Sequence, residues 1–195
     1  MVCHLFLPIM PHLLLKNLPR HECLLEAAQE FPQLDPSACE AFLHLLRTGD
    51  EAFLHAEQNL TEHGISNGRF GVLMLLWGDS HHSEGSIYGM TPAELADQSN
   101  VTRATMTGLI DTLERDGFVK RAADKDDRRM MRVALTRKAE KFLEQLLPGH
   151  FQRMAAIMEP LSQAERKTLV HLLNKILQHV PTLNTAVDAS VPAAV

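Results

Sequence analysis

Residues 91–138 read TPAELADQSNVTRATMTGLIDTLERDGFVKRAADKDDRRMMRVALTRK. This stretch opens with a helix start signal, because Thr91 is followed by Pro92 and, three residues on, by Glu94. That order is a capping box with proline at the first helical position. Thr102 provides the cap of a second helix. The stretch therefore predicts two short helices joined by a tight turn.

A hairpin is predicted directly after the second helix, which Gly117 ends. Two runs typical of β-strands, 118–122 and 131–135, flank the charged segment 124–129. Thr136 then caps a long helix. The order helix, turn, helix, hairpin and helix describes a winged helix-turn-helix. The predicted fold class is mostly α with a small β wing.

The second helix of this unit has two different faces. Its apolar face has the spacing i, i+3, i+4 and i+7 and consists of Met106, Leu109, Ile110 and Leu113. The other side carries small, hydroxyl and charged residues that can lie against base edges in a DNA major groove. The predicted DNA-binding residues here are Thr102, Arg103, Thr105, Thr107, Gly108, Asp111 and Arg115, and Ala104 lies on the same face.

Two of these predictions keep alternatives. Gly108 costs about 1 kcal/mol relative to alanine inside a helix, and either close approach to DNA or close helix packing would explain it. For Asp111 and Arg115, a solvated pair within the helix is an equal alternative to DNA contact.

Positive charge is concentrated in the same region. Residues 101–138 hold ten Lys and Arg against six Asp and Glu, a local net charge of +4, whereas the whole chain carries −5. This segregation is typical of a phosphate-binding face on an otherwise acidic molecule. The hairpin tip adds Lys125, Arg128 and Arg129 to the predicted DNA-binding residues. Asp127 is expected to hold the Arg129 guanidinium in a bidentate pair.

The rest of the chain predicts further helices. Apolar residues in 37–63 recur at three- and four-residue steps, with a break at 49–50. The segment 69–77 is apolar on nearly all sides, and a polar loop is predicted from 78 to 89. The long helix that Thr136 opens is expected to bend or break at 148–149.

The last predicted helix follows a second capping box at Ser162 and Glu165. Its apolar stripe consists of Leu169, Leu172, Leu173, Ile176 and Leu177. Helices at both ends of a single chain would leave such stripes exposed, so we expect them to pack on a two-fold mate. Residues 181–195 have no periodicity and are predicted to be a flexible tail.

The composition limits the class of protein. The chain has 195 residues, 45% of them hydrophobic and 22% charged, which excludes wholesale disorder. Three cysteines, Cys3, Cys23 and Cys39, lack motif spacing and fit a reducing cytoplasm. No apolar run approaches the roughly 20 residues that span a bilayer, and the apolar opening at 1–10 lacks the basic residues of a signal peptide. We expect a cytoplasmic location without membrane contact.

No pattern in the sequence indicates catalysis, and we expect no enzyme activity and no cofactor. His81 and His82 with Glu84 have metal-ligand chemistry but only loop spacing, so no metal site is predicted. Cys39 near the start of the long helix is either a small helix-face residue or a redox-active thiol.

The stretch from Thr91 to Ala139 resembles the MarR family of bacterial regulators throughout. The specific motif is DDRR at 126–129, followed by an apolar strand and LTRK at 135–138. A looser similarity covers 37–180, and the two carboxyl-terminal helices resemble the multidrug-efflux repressor branch. The loop at 81–88 is longer than usual for the family.

The resemblance implies a homodimeric winged-helix DNA-binding protein that dimerises through its terminal helices. By position, Thr105 and Thr107 match recognition-helix contacts, and Asp127 and Arg129 match the wing-tip pair. We expect an N-terminal arm at 1–36, a MarR-like domain at 37–180 and a tail at 181–195. Within that domain, the winged helix-turn-helix core spans about 67–138, between dimerisation helices at about 37–63 and 137–180.

A ligand site is expected between the dimerisation and DNA-binding parts, because in the family a bound ligand commonly releases DNA. Phe70, Met74 and Trp77 either line this site or belong to the core. The predicted function is repression at a pseudo-palindromic double-stranded DNA operator, released by a small aromatic or lipophilic molecule. The alternatives are a winged-helix protein-interaction module without DNA binding and a redox regulator acting through Cys39.

Overall fold

The computed structural model describes residues 13, 15, 17–82, 89–99, 101–124 and 129–188, without the side chains of 81, 82 and 182–188. Two compact units lie within Met1–Phe151 and Gln152–Val195. In chain order the described elements are α1 (His21–Glu30), α2 (Pro36–Glu62), α3 (Asn67–His82), α4 (Pro92–Ser99), α5 (Arg103–Arg115), β1 (Val119–Ala123), β2 (Met131–Leu135), α6 (Arg137–Ile157) and α7 (Gln163–Asp188). The predicted fold class is confirmed.

The helices begin at the predicted capping residues. The Asp35 carboxylate accepts hydrogen bonds from the Ser37 and Ala38 amides at 2.9 and 3.1 Å, and these bonds lower the pKa of Asp35. At α4, the Thr91 hydroxyl accepts from the Glu94 amide at 3.2 Å, and the Glu94 carboxylate accepts from the Thr91 amide at 2.7 Å. The capping box therefore satisfies amides that the first helical turn leaves without partners.

The core of the first unit lies between α3, α5, α6 and the hairpin. Its fully buried side chains come from every one of these elements: Leu73, Leu76, Met106, Ile110, Leu113, Val119, Val133, Leu143 and Leu146. The predicted apolar face of α5 is confirmed, with Leu109 half-buried and packed against this cluster. Core packing therefore holds α5 by one face and leaves its opposite face in solvent.

The hairpin pairs β1 with β2 in antiparallel register, from Val119 opposite Leu135 to Ala123 opposite Met131. Met90, just before α4, forms an isolated bridge with Val133. Gly89 enters this bridge with φ +111°, and a Cβ there would lie 2.5 Å from the Val133 carbonyl oxygen. Only glycine fits this approach without a backbone shift.

The helix end predicted at Gly78 was wrong, and the break in the apolar pattern at 49–50 does not interrupt α2. Helix α2 continues through Gly49, because Asp50 is buried and accepts a hydrogen bond from the Leu13 amide at 2.9 Å. Helix α3 continues through Gly78 to His82, so the predicted polar loop begins later. In both places contacts from distant residues outweigh the low helix propensity of a single glycine.

Two prolines lie inside helices. Helix α6 passes through Pro148, and burial of Leu147 and His150 on either side offsets the lost hydrogen bond. Helix α7 passes through Pro181 to Asp188, whereas the sequence predicted a flexible tail from 181. A proline removes one backbone donor and crowds one carbonyl, so a helix can bend and continue. Residues 189–195 lie outside the described residues.

The second unit contains the end of α6 and all of α7, which starts at the predicted capping box. The Ser162 hydroxyl accepts from the Glu165 amide at 3.3 Å, and the Glu165 carboxylate accepts from the Ser162 amide at 2.7 Å. Large apolar side chains of α7 are exposed: Val170, Leu172, Leu173, Ile176, Leu177 and Val180. Of the described helices, none has the length and hydropathy needed to cross a bilayer.

Candidate DNA-binding surface

Helix α5 is fixed at its start by Thr102. Its hydroxyl accepts a hydrogen bond from the Thr105 amide at 3.1 Å and lies 2.9 Å from the Thr105 hydroxyl. With Met106, Ile110 and Leu113 buried, the orientation of the helix is set from both its end and its core side.

The side of α5 predicted to face DNA is exposed over its whole length. All of the predicted residues on it are exposed to solvent: Thr102, Arg103, Ala104, Thr105, Thr107, Gly108, Asp111 and Arg115. The Thr107 hydroxyl donates to the Arg103 carbonyl at 2.9 Å, which leaves its oxygen able to accept from a base. The side chains at the centre of this face are small, and all of them are exposed. The face is therefore accessible to a groove of DNA.

One alternative for Gly108 is now excluded. A Cβ at Gly108 would meet nothing within 4 Å among the described residues. Close helix packing within the chain therefore does not explain the glycine, and close approach to DNA stays as the prediction.

Arg129 lies in the turn two residues before β2 and is exposed to solvent. The other predicted tip residues, Lys125, Asp127 and Arg128, lie outside the described residues. The predicted pairing of Asp127 with Arg129 consequently stays a prediction.

A groove of about 440 Å³ joins the predicted helix and wing residues. It is lined by the start of α4, by α5 and by the wing: Thr91, Pro92, Ala93, Arg103, Thr107, Arg129, Met130 and Met131. The structure therefore brings Arg103, Thr107 and Arg129, which are distant in sequence, to one concave surface. Two guanidinium groups in a single groove favour an anionic, extended ligand such as a nucleic-acid backbone.

Arg121, which was not among the residues predicted from sequence, joins the wing to α5. Its Nη1 donates to the Glu114 carboxylate at 2.7 Å, and its Nη2 donates to the Asp111 carboxylate at 2.5 Å. The hydrogen bond that Arg121 donates to Asp111 is the main cause that raises the pKa of Arg121. The partner of Asp111 is thus Arg121 and not Arg115, whose Nε lies 3.8 Å from Asp116.

Arg132 was also missed, and it joins β2 to the first helix of the motif. Its guanidinium donates to the buried Asp124 carboxylate and to the Gly89 carbonyl, the latter at 2.8 Å. It also lies 3.8 Å from the Glu94 carboxylate. Arg132 precedes the buried Val133 in β2, so strand alternation places the two side chains on opposite faces of the hairpin, and this alternation was the signal available in the sequence.

These ion pairs reduce the number of basic side chains that are free to contact a phosphate. Arg121 and Arg132 are each held by carboxylates of the chain, and Lys138 donates to the Asp116 carbonyl at 2.7 Å. Arg103 and Lys120 are exposed, and neither has an ion-pair partner among the described residues. The basic side chains available to a phosphate are therefore fewer than the ten Lys and Arg of 101–138, and Arg103 on α5 and Lys120 on the wing are among them.

The structure does not bring the three predicted ligand-binding residues together. Phe70 is buried, with its ring edge-on to His150. Met74 lines a groove of about 450 Å³ between α3 and α5. Trp77 lines a different groove, of about 470 Å³, beside α6. Helical spacing places the three residues on one face of α3, but Phe70 is buried in the core, and Met74 and Trp77 line separate grooves.

The other candidate sites of the sequence have little support in the described structure. Cys39 is half-buried in the first turn of α2, where its amide donates to the Asp35 carbonyl at 2.9 Å. Within the described part of the chain, no three His, Cys, Asp or Glu side chains are arranged to hold a metal. Glu84 and the side chains of His81 and His82 lie outside it.

Comparison with known proteins identifies the class. The model of the MarR family matches residues 65–131. The chain is 37% identical over 166 residues to the HTH-type transcriptional repressor YetL of Bacillus subtilis. The aligned region covers 85% of this chain and 96% of that protein. This relative is a transcriptional regulator and not an enzyme, in agreement with the expectation from sequence.

Solved structures show the same fold. Sco3205 of Streptomyces coelicolor, a MarR family regulator in complex with DNA, superposes with a TM-score of 0.65 at 20% identity, over 74% of this chain and 88% of that one. BpsR of Bordetella bronchiseptica, whose DNA binding is regulated by 6-hydroxynicotinic acid, gives a TM-score of 0.57 at 25% identity, over 68% of this chain and 90% of that one.

Proposed function

The chain belongs to the MarR family of winged-helix transcriptional regulators, and from this premise we propose that it is a homodimeric repressor of a pseudo-palindromic DNA operator. A small lipophilic molecule releases it from that operator. The observation that carries the proposal is the groove in which Arg103 and Thr107 of α5 meet Arg129 of the wing. The site of action is the cytoplasm.

DNA binding divides between two parts of this surface. The exposed α5 face enters the major groove, where Thr107 and its neighbours approach base edges. Arg129 and the adjoining tip residues Lys125, Asp127 and Arg128 lie along the phosphates or the adjacent minor groove. Thr105 and Arg115 flank the helix face and complete the contact with the DNA backbone.

The exposed apolar residues of the terminal helices support a homodimer. In the single chain, Leu172, Leu173, Ile176 and Leu177 of α7 are exposed, and so are Phe42 and Phe53 of α2. Large apolar side chains exposed in this way are costly in water and are normally covered by a partner. A second copy is the occupant that also places two recognition helices on a pseudo-palindromic operator.

The effector is a lipophilic cation that binds at the groove beside Trp77. That groove has about 470 Å³ and is lined by Trp77, Leu147, Pro148 and Phe151 with the carboxylates of Glu140 and Glu144. An aromatic and aliphatic surface with two acids favours a delocalised cation over an aromatic acid. Phe70 and Met74, predicted from sequence for this role, lie elsewhere.

A gel-shift experiment with the DNA upstream of the chain's own gene tests the proposal. We expect one discrete complex that survives an excess of random-sequence duplex and that weakens severalfold with tetraphenylphosphonium but not with benzoate. Glu140→Gln combined with Glu144→Gln should reduce the effect of the cation. Equal binding to upstream and random DNA would favour the protein-interaction alternative, and release only by peroxide would favour redox control through Cys39.

A further inference from the structure

Arg121 lies between the wing and two carboxylates of α5, and we propose that it is a positioning residue for DNA binding. It offsets one of the two negative charges of Asp111 and Glu114, so that the exposed face of α5 can approach the phosphates, without itself touching DNA. This inference rests on the DNA-binding function proposed above.

The guanidinium of Arg121 is paired with two carboxylates of the chain. Nη1 and the backbone amide of Arg121 both donate to the Glu114 carboxylate, at 2.7 and 3.2 Å, and Nη2 donates to Asp111 at 2.5 Å. The side chain is 28% exposed, against 56% for Asp111 and 38% for Glu114. The carboxylates are therefore nearer to solvent than the cation that pairs with them.

The position of Asp111 makes this pairing necessary. It follows Arg103 and Thr107 at four-residue steps, so it lies on the same side of α5 as the predicted base-contacting residues. A bare carboxylate on that side would be repelled by the phosphates along the groove. With Arg121 the cluster carries a net charge of −1, and without it the charge is −2.

The hairpin register explains why Arg121 reaches α5. Arg121 is paired with the buried Val133, and Val119, two residues earlier on the same strand face, is also buried. Strand alternation thus directs Arg121 towards the helix and Lys120 towards solvent. Lys120, exposed and without an ion-pair partner among the described residues, is a matched control for the loss of one positive charge.

Four variants separate charge neutralisation from direct contact: Arg121→Met, Asp111→Asn with Glu114→Gln, the triple combination of these, and Lys120→Met. The probes are a duplex that the wild-type protein selects from a random-sequence pool and a random duplex of equal length. Affinity is measured over a range of salt concentrations, and the unfolding midpoint of each variant is recorded.

We expect Arg121→Met to lose about tenfold in affinity for the selected duplex and Lys120→Met about twofold. The triple variant should return to within about threefold of the wild type, because no bare carboxylate is left. The double variant should bind both duplexes more tightly than the wild type and with a steeper salt dependence. The double and triple variants lose the ion pairs as completely as Arg121→Met does, so a purely structural role would weaken all three.

A triple variant as weak as Arg121→Met overturns the proposal, because the loss then belongs to Arg121 itself. Equal losses in Arg121→Met and Lys120→Met overturn it as well, since any positive charge would then have the same effect. A wild-type protein that selects no duplex from the pool overturns the DNA-binding function on which the inference rests.

Discussion

The ring of His150 meets the ring of Phe70 edge-on, with centroids 4.9 Å apart and an interplanar angle of 62°. His150 is 9% exposed, and its Nδ1 atom has no hydrogen-bond partner among the described residues. Burial lowers the pKa of His150, because desolvation disfavours the imidazolium form.

This contact predicts loss of stability in mild acid. Above the ordinary histidine pKa of 6.5, the ring is neutral in both the folded and the unfolded chain. As the pH falls below that value, the unfolded chain takes up a proton that the folded chain resists, so the free energy of unfolding decreases until the lowered folded pKa is passed. Urea unfolding between about pH 7 and pH 5 should show a shallower pH dependence in His150→Leu than in the wild type. The control is His44→Gln, because His44 is exposed. If the free energy of unfolding changed with pH in His150→Leu as it does in the wild type, the prediction would be contradicted.

Gly108→Ala should act in opposite directions on stability and on binding. A methyl group at this position meets nothing within 4 Å in the free chain, and alanine is favoured over glycine in a helix by about 1 kcal/mol. The unfolding free energy should therefore rise by up to about that amount. Operator affinity should fall, because the added methyl group lies where α5 approaches DNA. Gly71→Ala in α3, also without a close neighbour, controls for the helix effect. Unchanged operator affinity in Gly108→Ala would show that DNA does not come close at this residue.

Thr107→Val should reduce discrimination between sequences. Valine keeps the shape of threonine but removes the hydroxyl, which in the free protein donates to the Arg103 carbonyl. We expect a cost of about 1 kcal/mol on the operator and little on random DNA. Thr112→Val is the matched control, since Thr112 makes the same kind of bond to the Gly108 carbonyl at 2.8 Å. Comparable losses on both duplexes would argue against a base contact by Thr107.

Arg129→Ala should weaken binding to all DNA sequences and flatten the salt dependence. One phosphate contact contributes about 0.9 to the slope of log affinity against log salt concentration, and removing it should lower the slope by about that amount. Fluorescence anisotropy titrations at several salt concentrations measure both quantities. Lys167→Ala on α7 removes a positive charge far from the wing in sequence and serves as the control. Normal operator binding by Arg129→Ala at physiological salt would show that this part of the wing does not touch DNA.

Val170→Asp combined with Leu177→Asp should separate the proposed dimer. Both side chains are largely exposed in the single chain, 58% and 69%, so the substitutions should leave the folded chain intact. Buried in an interface, two carboxylates without partners cost several kcal/mol. Sedimentation should find a dimer for the wild type at micromolar concentration and a monomer for the variant, with weaker operator binding. A monomeric wild type would contradict the dimer.

Much of the DNA-binding unit could be predicted from sequence, because its signals act over short distances. Thr91 with Glu94 starts α4, Thr102 starts α5, and Gly117, with φ +75°, ends it. Each of these acts on backbone groups within one helical turn. The apolar spacing in α5 likewise identified which of its faces is buried.

The helix end predicted at Gly78 was wrong for the opposite reason, and for the same reason the break in the apolar pattern at Gly49 does not end α2. Helix propensity there is low, but Asp50 bonds to the Leu13 amide and Asp79 to the Gly89 amide at 2.9 Å. Contacts that span many residues have no local signal in the sequence, and they are strong enough to override propensity.

The sequence by itself determined the order of helices and strands from 91 to 138, the residues on the exposed face of α5 and the position of Arg129 in the wing. These features could be determined because caps, glycines and periodicity act through neighbouring residues. Only the tertiary structure decided that Arg121 covers Asp111 and Glu114, that Arg132 holds Asp124 and Gly89, and that Trp77 lies apart from Phe70 and Met74. Those relationships depend on where the folded chain brings distant residues, and the pairing of charges across elements follows from packing and not from spacing.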